Sequence, residues 1–164
     1  MPSDPIIRPG TIDDMPVACE IAVLAWQPIF VEFRRRLGDD LFLQLYHDWE
    51  NSKRAQVRGA FEHDPPRVLV TEIDGQVVGF CTYYLPDAAH GLGEIGNNAV
   101  HPGFQGRGLA RRQYERVFEE LRAEGMTAIR VTTGLDEAHA PARRAYEAVG
   151  FEKFLPQLAY YRKL

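Results

Sequence analysis

Around Gln105-Gly106-Arg107-Gly108-Leu109-Ala110 the chain changes character within a few residues. A strand-like run, Ile95-Gly96-Asn97-Asn98-Ala99-Val100, and a His101-Pro102-Gly103 turn precede it. After it, apolar positions at Leu109, Tyr114, Val117, Phe118 and Leu121 follow a helical period. A strand, a glycine-bearing turn and a helix start together gather free main-chain N–H groups around one point, which attracts an anion. Glycine lets the backbone approach that anion with no Cβ between them. The expected occupant therefore carries phosphate.

The missing residues narrow the kind of phosphate. No Gly-Lys-Ser/Thr stands here to reach terminal phosphates and magnesium. A dinucleotide fingerprint needs a third glycine where Arg111 stands, and an acidic residue after the next strand, where Val131-Thr132-Thr133 stands. The glycine pair alone says little, because surface turns use such pairs routinely.

Two longer segments say more. Val100-His101-Pro102 followed by Gln105-x-x-Gly108-x-Ala110 resembles the Q/R-x-x-G-x-G/A signature of the GNAT superfamily of N-acetyltransferases. Ala142-Arg143-Arg144-Ala145-Tyr146-Glu147-Ala148-Val149-Gly150-Phe151 resembles that superfamily's A-x-x-x-Y-E-x-x-G-F segment. One helix and one strand separate the two, as in the family. The resemblance is strong from Glu94 to Phe151 and looser in the N-terminal half, and the whole chain suits a single such domain.

The resemblance implies acetyl-coenzyme A (acetyl-CoA) as cosubstrate. Its pyrophosphate would sit on the main-chain N–H groups of Gln105, Gly106, Arg107, Gly108, Leu109 and Ala110. Its pantetheine arm would pair with the main chain of Asn98 and Val100, where the fourth and fifth strands splay, like a short added strand. Of Arg107, Arg111, Arg112 and Arg116, at least half read as a solvated helix face, with Arg107 and Arg111 the candidates for charge-assisted contacts. His139 occupies a position, seven residues before Tyr146, where the family commonly has asparagine. It reads equally as a coenzyme contact and as an exposed residue near a helix start.

Acetyl transfer to an amine needs a base for the ammonium proton, donors for the thioester oxygen and an acid for the departing thiolate. By position, the resemblance implies Glu94 as base, the Asn98 N–H as donor and Tyr146 as acid. The plainer readings are a Glu94 solvated or paired with an arginine, and a Tyr146 that fills a helix core with Ala142, Ala145 and Val149. Direct transfer needs no covalent intermediate, so neither Cys19 nor Cys81 is assigned a nucleophilic role. The rival from another class is a non-catalytic acyl-CoA sensor or regulatory module.

Composition fits this reading. A chain of 164 residues, 45% hydrophobic and 26% charged, is usually one domain with a good core. A net charge of −4 argues against a general nucleic-acid partner. The two cysteines suggest no disulfide framework, and His47, His63, His90 and His101 have no metal-ligand spacing, so no metal is expected. No apolar run of membrane length and no leader is read, which makes the cytoplasm the expected compartment. The acceptor is a small-molecule or peptide amine of open identity. Oligomeric state is also open, with a homodimer the commonest option.

The expected fold is α/β (α+β): a mixed, mostly antiparallel central sheet with helices on both faces, in the order β-α-α-β-β-β-α-β-α-β-β. The strands are expected at Ile6–Pro9, about 67–73, 76–85 and 92–100, 127–133, and a final pair at 151–154 and 158–162. Asp74-Gly75 is a hairpin signal. One helix follows Thr11 with an apolar face to Ala25, and a second helical region runs from about Pro28 to His63 with a break near Gly38. The aromatics Trp26, Phe30, Phe33, Trp49, Tyr160 and Tyr161 lie where the family selects its acceptor, though core filling is the simpler reading.

Overall fold

The computed structural model describes residues 4–63, 65–153 and 155–162. Strand β1 (Ile6–Pro9) leads into α1 (Met15–Leu37), α2 (Asp39–Tyr46) and α3 (Trp49–Phe61). The hairpin β2 (Val68–Ile73) and β3 (Gln76–Asp87) continues into β4 (Leu92–Val100). Helix α4 (Leu109–Ala123), strand β5 (Ala128–Val131) and α5 (Ala140–Ala148) complete the order. Among the described residues, five strands form one sheet in sequence order, antiparallel except for the parallel β4–β5 pair. That parallel pair needs a crossover, and α4 supplies it.

Local chemistry explains the punctuation. Asp74 and Gly75 both take positive φ, 51° and 77°, as a two-residue hairpin turn matching the strand twist requires. Asp14 accepts from Thr11 N (2.8 Å) and from the Arg8 guanidinium (2.8 Å), which also reaches Glu72. This knot ties β1 to β2 and to the start of α1, and the Arg8 hydrogen bond draws the Asp14 carboxyl down to about 2.

The sheet separates two cores. On one face Ala18, Ile21 and Ala22 of α1 and Val57 and Phe61 of α3 pack against Val70, Phe80 and Ala99. On the other, Tyr114, Val117 and Leu121 of α4 and Tyr146 of α5 pack against Leu69, Cys81 and Ile95. Each fully buried Val or Phe side chain stabilises the fold by about 1.5–3 kcal/mol. Gly79 of β3 marks a close approach beneath α4. A Cβ there would lie 2.6 Å from Gln113 Nε2 and 2.9 Å from the Ala99 carbonyl oxygen. Gln113 is fully buried and donates to Thr71 Oγ1 (2.9 Å), so it has little freedom to withdraw. Gly79→Ala is expected to cost about 1–3 kcal/mol. Urea unfolding would show this as a lower midpoint at constant m; an unchanged midpoint would mean that Gln113 yields.

Four expectations need correction. Helix α1 continues through Pro28 to Leu37 instead of ending before it. Pro28 costs the helix one hydrogen bond, to the carbonyl four residues earlier. That carbonyl belongs to Leu24, which is 42% exposed, so water can satisfy it while α1 packs on α3. The expected break at Gly38 is present, between α1 and α2, but a further break separates α2 from α3, so among the described residues three α-helices precede β2. An unbroken α1 also makes Ile12–Leu37 long and apolar enough to cross a bilayer by length and composition, although one face of it belongs to the sheet core.

The final strand pair is also absent among the described residues; Phe154 lies outside them. Leu155, Leu158 and Tyr160 are 85%, 74% and 89% exposed, and β5 pairs with β4 alone among the described strands. An apolar alternation becomes a strand only where a sheet edge receives it. Here the segment instead reaches α2, with the Tyr161 and Tyr46 hydroxyls 3.2 Å apart.

Candidate active site

The β4–β5 ladder runs from Leu92–Ala128 to Ile95–Val131 and stops. From Gly96 to Val100, β4 continues with no partner on that side among the described residues, and the edge opens into a cleft of about 1080 Å³. On its other side β4 stays paired with β3. Cys81 lies opposite Asn98 but Tyr83 opposite Ile95, so three steps of β4 match two of β3. The extra residue is a bulge at Gly96-Asn97.

The bulge decides where the two asparagines point. Ile95 faces α4 and α5, and simple alternation would send Asn97 the same way. With one residue added, Asn98 takes that side, and Asn97 turns toward α3 to meet Lys53. Main-chain directions follow as well. His101 N donates to Val78 O on β3 (2.8 Å), so alternate residues Asn98 and Val100 direct their N–H and C=O groups to the open edge.

The Asn98 side chain joins two tyrosines. The Tyr114 hydroxyl donates to Asn98 Oδ1 (2.7 Å), and Asn98 Nδ2 donates to Tyr146 Oη (2.9 Å) and to the Gly96 carbonyl (3.1 Å). Tyr146 thus receives a hydrogen bond and keeps its own proton for another acceptor. Burial pushes its phenol up, against the opposing donation from Asn98, so it stays protonated at neutral pH.

At the far end of β4 the glycine loop forms a cradle. Gly106 and Gly108 have φ of 76° and 72°, and a Cβ at either would meet nothing within 4 Å. Among the described residues, none of the N–H groups from Gly106 to Arg111 is paired. The side chain of Gln105 donates to the Val100 carbonyl (3.0 Å), pinning the loop to the strand end. Open space, unpaired N–H groups and the positive end of a 15-residue helix suit a diphosphate.

Two cleft residues, Glu94 and His139, are held by side chains outside its lining. Glu94 is held by Arg130 across the β4–β5 ladder, with Nε at 2.8 Å and Nη2 at 2.7 Å. His139 Nδ1 lies 2.7 Å from Asp136 Oδ2. Burial opposes ionisation of Asp136, but the His139 contact outweighs it and leaves that carboxyl below its usual range. Arg143 donates to the carbonyls of Gly134 and Asp136 (2.6 and 2.7 Å) and holds their loop. Cys19 and Cys81 are buried, and burial pushes both thiols up, an environment unsuited to a nucleophile.

Of the residues singled out in the sequence, Glu94, Asn98, Val100, Gln105, Gly106, Gly108, Leu109, Ala110, Arg111, His139 and Tyr146 line this one cleft. Arg107 does not: its guanidinium lies 5.0 Å from the centre of the Phe104 ring. Arg111 is on the wall but donates to Glu115 (2.8 Å). Sequence reasoning missed Lys53, Tyr114 and Arg144 as cleft residues. Tyr114 carried a signal, a phenol on an apolar face, where a buried hydroxyl requires a partner. Lys53 carried none.

Residues 25–151 match the Acetyltransferase (GNAT) family, and the chain belongs to it. It is 34% identical over 98 residues to a mycothiol acetyltransferase of Thermomonospora curvata, covering 59% of this chain and 31% of that protein. It is 38% identical over 72 residues to an IAA acetyltransferase of Azospirillum brasilense, covering 44% of this chain and 46% of that one. The matched stretches thus span less than half the length of these curated relatives. Among solved structures, the PaiA N-acetyltransferase of Thermoplasma acidophilum in complex with coenzyme A superposes with a TM-score of 0.71 at 13% identity, over 92% of this chain and 91% of that one. AAC(6')-Iy in complex with a bisubstrate analog does so with a TM-score of 0.66 at 17% identity, over 99% of each chain. At such identities the likeness is one of fold.

Proposed function

We propose that the protein is an N-acetyltransferase that moves the acetyl group of acetyl-CoA directly to a primary amine of a small molecule or peptide. One observation carries this reading. The open β4 edge, the glycine cradle and the Asn98–Tyr146 pair lie along a single cleft. A thioester with a long amide-bearing arm and a diphosphate needs the Asn98–Tyr146 pair, then the open edge, then the cradle.

The main chain of Asn98 and Val100 pairs with the pantetheine amides, and the N–H groups from Gly106 to Ala110 take the diphosphate. The Asn98 N–H, on the open edge, donates to the thioester oxygen as negative charge grows there. Glu94 takes the ammonium proton, directly or through water. Tyr146 gives its proton to the departing sulfur. The amine nitrogen bonds to the acetyl carbon, the carbon–sulfur bond breaks, coenzyme A leaves as the thiol, and the second proton lost from nitrogen restores the Tyr146 phenol. The family membership and the acetyltransferase names of the relatives support this reading.

Thiol release from acetyl-CoA with a panel of amines tests it. Coenzyme binding with no turnover of any amine would favour a sensor. Glu94→Gln is expected to slow turnover at neutral pH on the order of 100-fold while sparing coenzyme affinity. An unchanged pH–rate profile would remove Glu94 from the mechanism.

A further inference from the structure

Among the described residues, the acceptor side of the cleft holds a cation with no carboxylate partner. Lys53, on α3, is 9% exposed. Its Nζ donates to Gln56 Oε1 (2.8 Å) and Asn97 Oδ1 (3.0 Å) and lies 4.3 Å from the centre of the Trp26 ring. All of these partners are neutral. Three other partly buried cations have carboxylates: Arg8 has Asp14 and Glu72, Arg54 has Glu20, and Arg67 has Glu124; Arg143, the less buried exception, is spent on two main-chain carbonyls. A buried charge left with neutral partners is costly, and an apolar side chain of similar length would pack there without that cost. The ammonium is retained nonetheless: burial lowers it to about 8, and at neutral pH it is still mainly charged.

Position shows which ligand this charge awaits. Lys53, Trp26 and Asn97 all line the cleft. Asn97 sits on the bulge beside Asn98, at the reacting end of β4, whereas the glycine cradle begins past Val100. Three residues of strand put about 10 Å between the two ends. A negative group at Lys53 therefore belongs to the acceptor and not to the coenzyme phosphates. A single ammonium with two protons already engaged suits a carboxylate, whereas phosphate sites gather several donors or a bidentate arginine. A polyamine or other polycation would meet repulsion here.

We propose that Lys53 is a specificity residue that binds a carboxylate on the amine substrate, so that the acceptor is an amino acid or an amino-acid-like zwitterion. This rests on the acetyl-transfer reading above.

The test compares each L-amino acid with its own amide as acceptor, for the wild type, Lys53→Met and Lys53→Arg. The amides have less basic amines and are intrinsically the better nucleophiles at neutral pH, so a preference for the acids is not inherent reactivity. The wild type should favour at least one acid over its amide by about 10- to 100-fold in kcat/KM, the size of a charge-assisted hydrogen bond. Lys53→Met should lose that preference mainly through KM, with coenzyme affinity preserved and a thermal midpoint no lower than wild type, and Lys53→Arg should retain part of it. Amides accepted as well as acids, or a preference that survives Lys53→Met, would overturn the proposal.

A second measurement needs no turnover. With coenzyme A bound, N-acetylphenylalanine should perturb tryptophan fluorescence at lower concentration than N-acetylphenylalaninamide, and Lys53→Met should abolish the difference. If that difference holds while no amine is acetylated, the carboxylate site stands and the proposed reaction falls. If amines are acetylated with no difference between acid and amide, the reaction stands and the Lys53 assignment falls.

Discussion

Replacing Gly108 by valine is expected to lower coenzyme A affinity at least about 100-fold while leaving the sheet folded. Gly108 has a φ of 72° and directly precedes α4. An L-residue pays about 1–2 kcal/mol to enter this region, and a β-branched one more. The valine side chain would clash with nothing in the chain, because a Cβ at Gly108 meets no atom within 4 Å. The empty volume is the cradle itself. Valine would both fill it and turn the N–H groups that follow away from a common point. Losing two charge-assisted hydrogen bonds of about 1.5–3 kcal/mol each is enough for the expected loss. Gly125, with a φ of 83° and equally open surroundings at the other end of α4, provides the control. Gly125→Val should lower stability and spare affinity. Calorimetric titration with coenzyme A reads both variants, and an affinity within threefold of wild type for Gly108→Val would refute the cradle.

Tyr146→Phe is expected to lower kcat by about 100- to 1000-fold with little change in coenzyme affinity, the range for loss of a positioned acid. The ring packs 5.1 Å from Tyr114 and 5.8 Å from Phe151, centre to centre, and phenylalanine preserves both contacts. Asn98 Nδ2 loses an acceptor but keeps the Gly96 carbonyl. The deficit should therefore lie in chemistry and not in folding. Acetyl thioesters of more acidic thiols need less protonation as they leave, so the gap between variant and wild type should narrow with them. A gap independent of the leaving thiol would make Tyr146 a packing residue.

Much of the architecture was legible because its causes lie within a few residues. Asp74-Gly75 turns a hairpin through its own φ values. β4 spans Leu92–Val100 and α4 stops before Gly125, both as their sequences indicate. The loop from Gln105 to Ala110 is set by its glycines and by the helix it opens. The misjudged places depend on distant partners. Pro28 stays inside α1 because α3 packs beside it and Leu24 is left to solvent. The described residues after α5 form no strand because a pattern of side chains supplies no sheet edge.

The same division runs through the cleft. The glycine loop and the family resemblance are written in contiguous residues, since main-chain N–H groups converge wherever local torsions make them converge. The rest of the cleft is not. Glu94 meets Arg130 across 36 residues, Asn97 meets Lys53 across 44, and Asn98 meets Tyr146 across 48. One inserted residue at Gly96-Asn97 sorts the two asparagines to opposite faces of the sheet. A bulge is a property of two paired strands, and the partners of a buried side chain are a property of the packed core. Neither exists until the chain has folded.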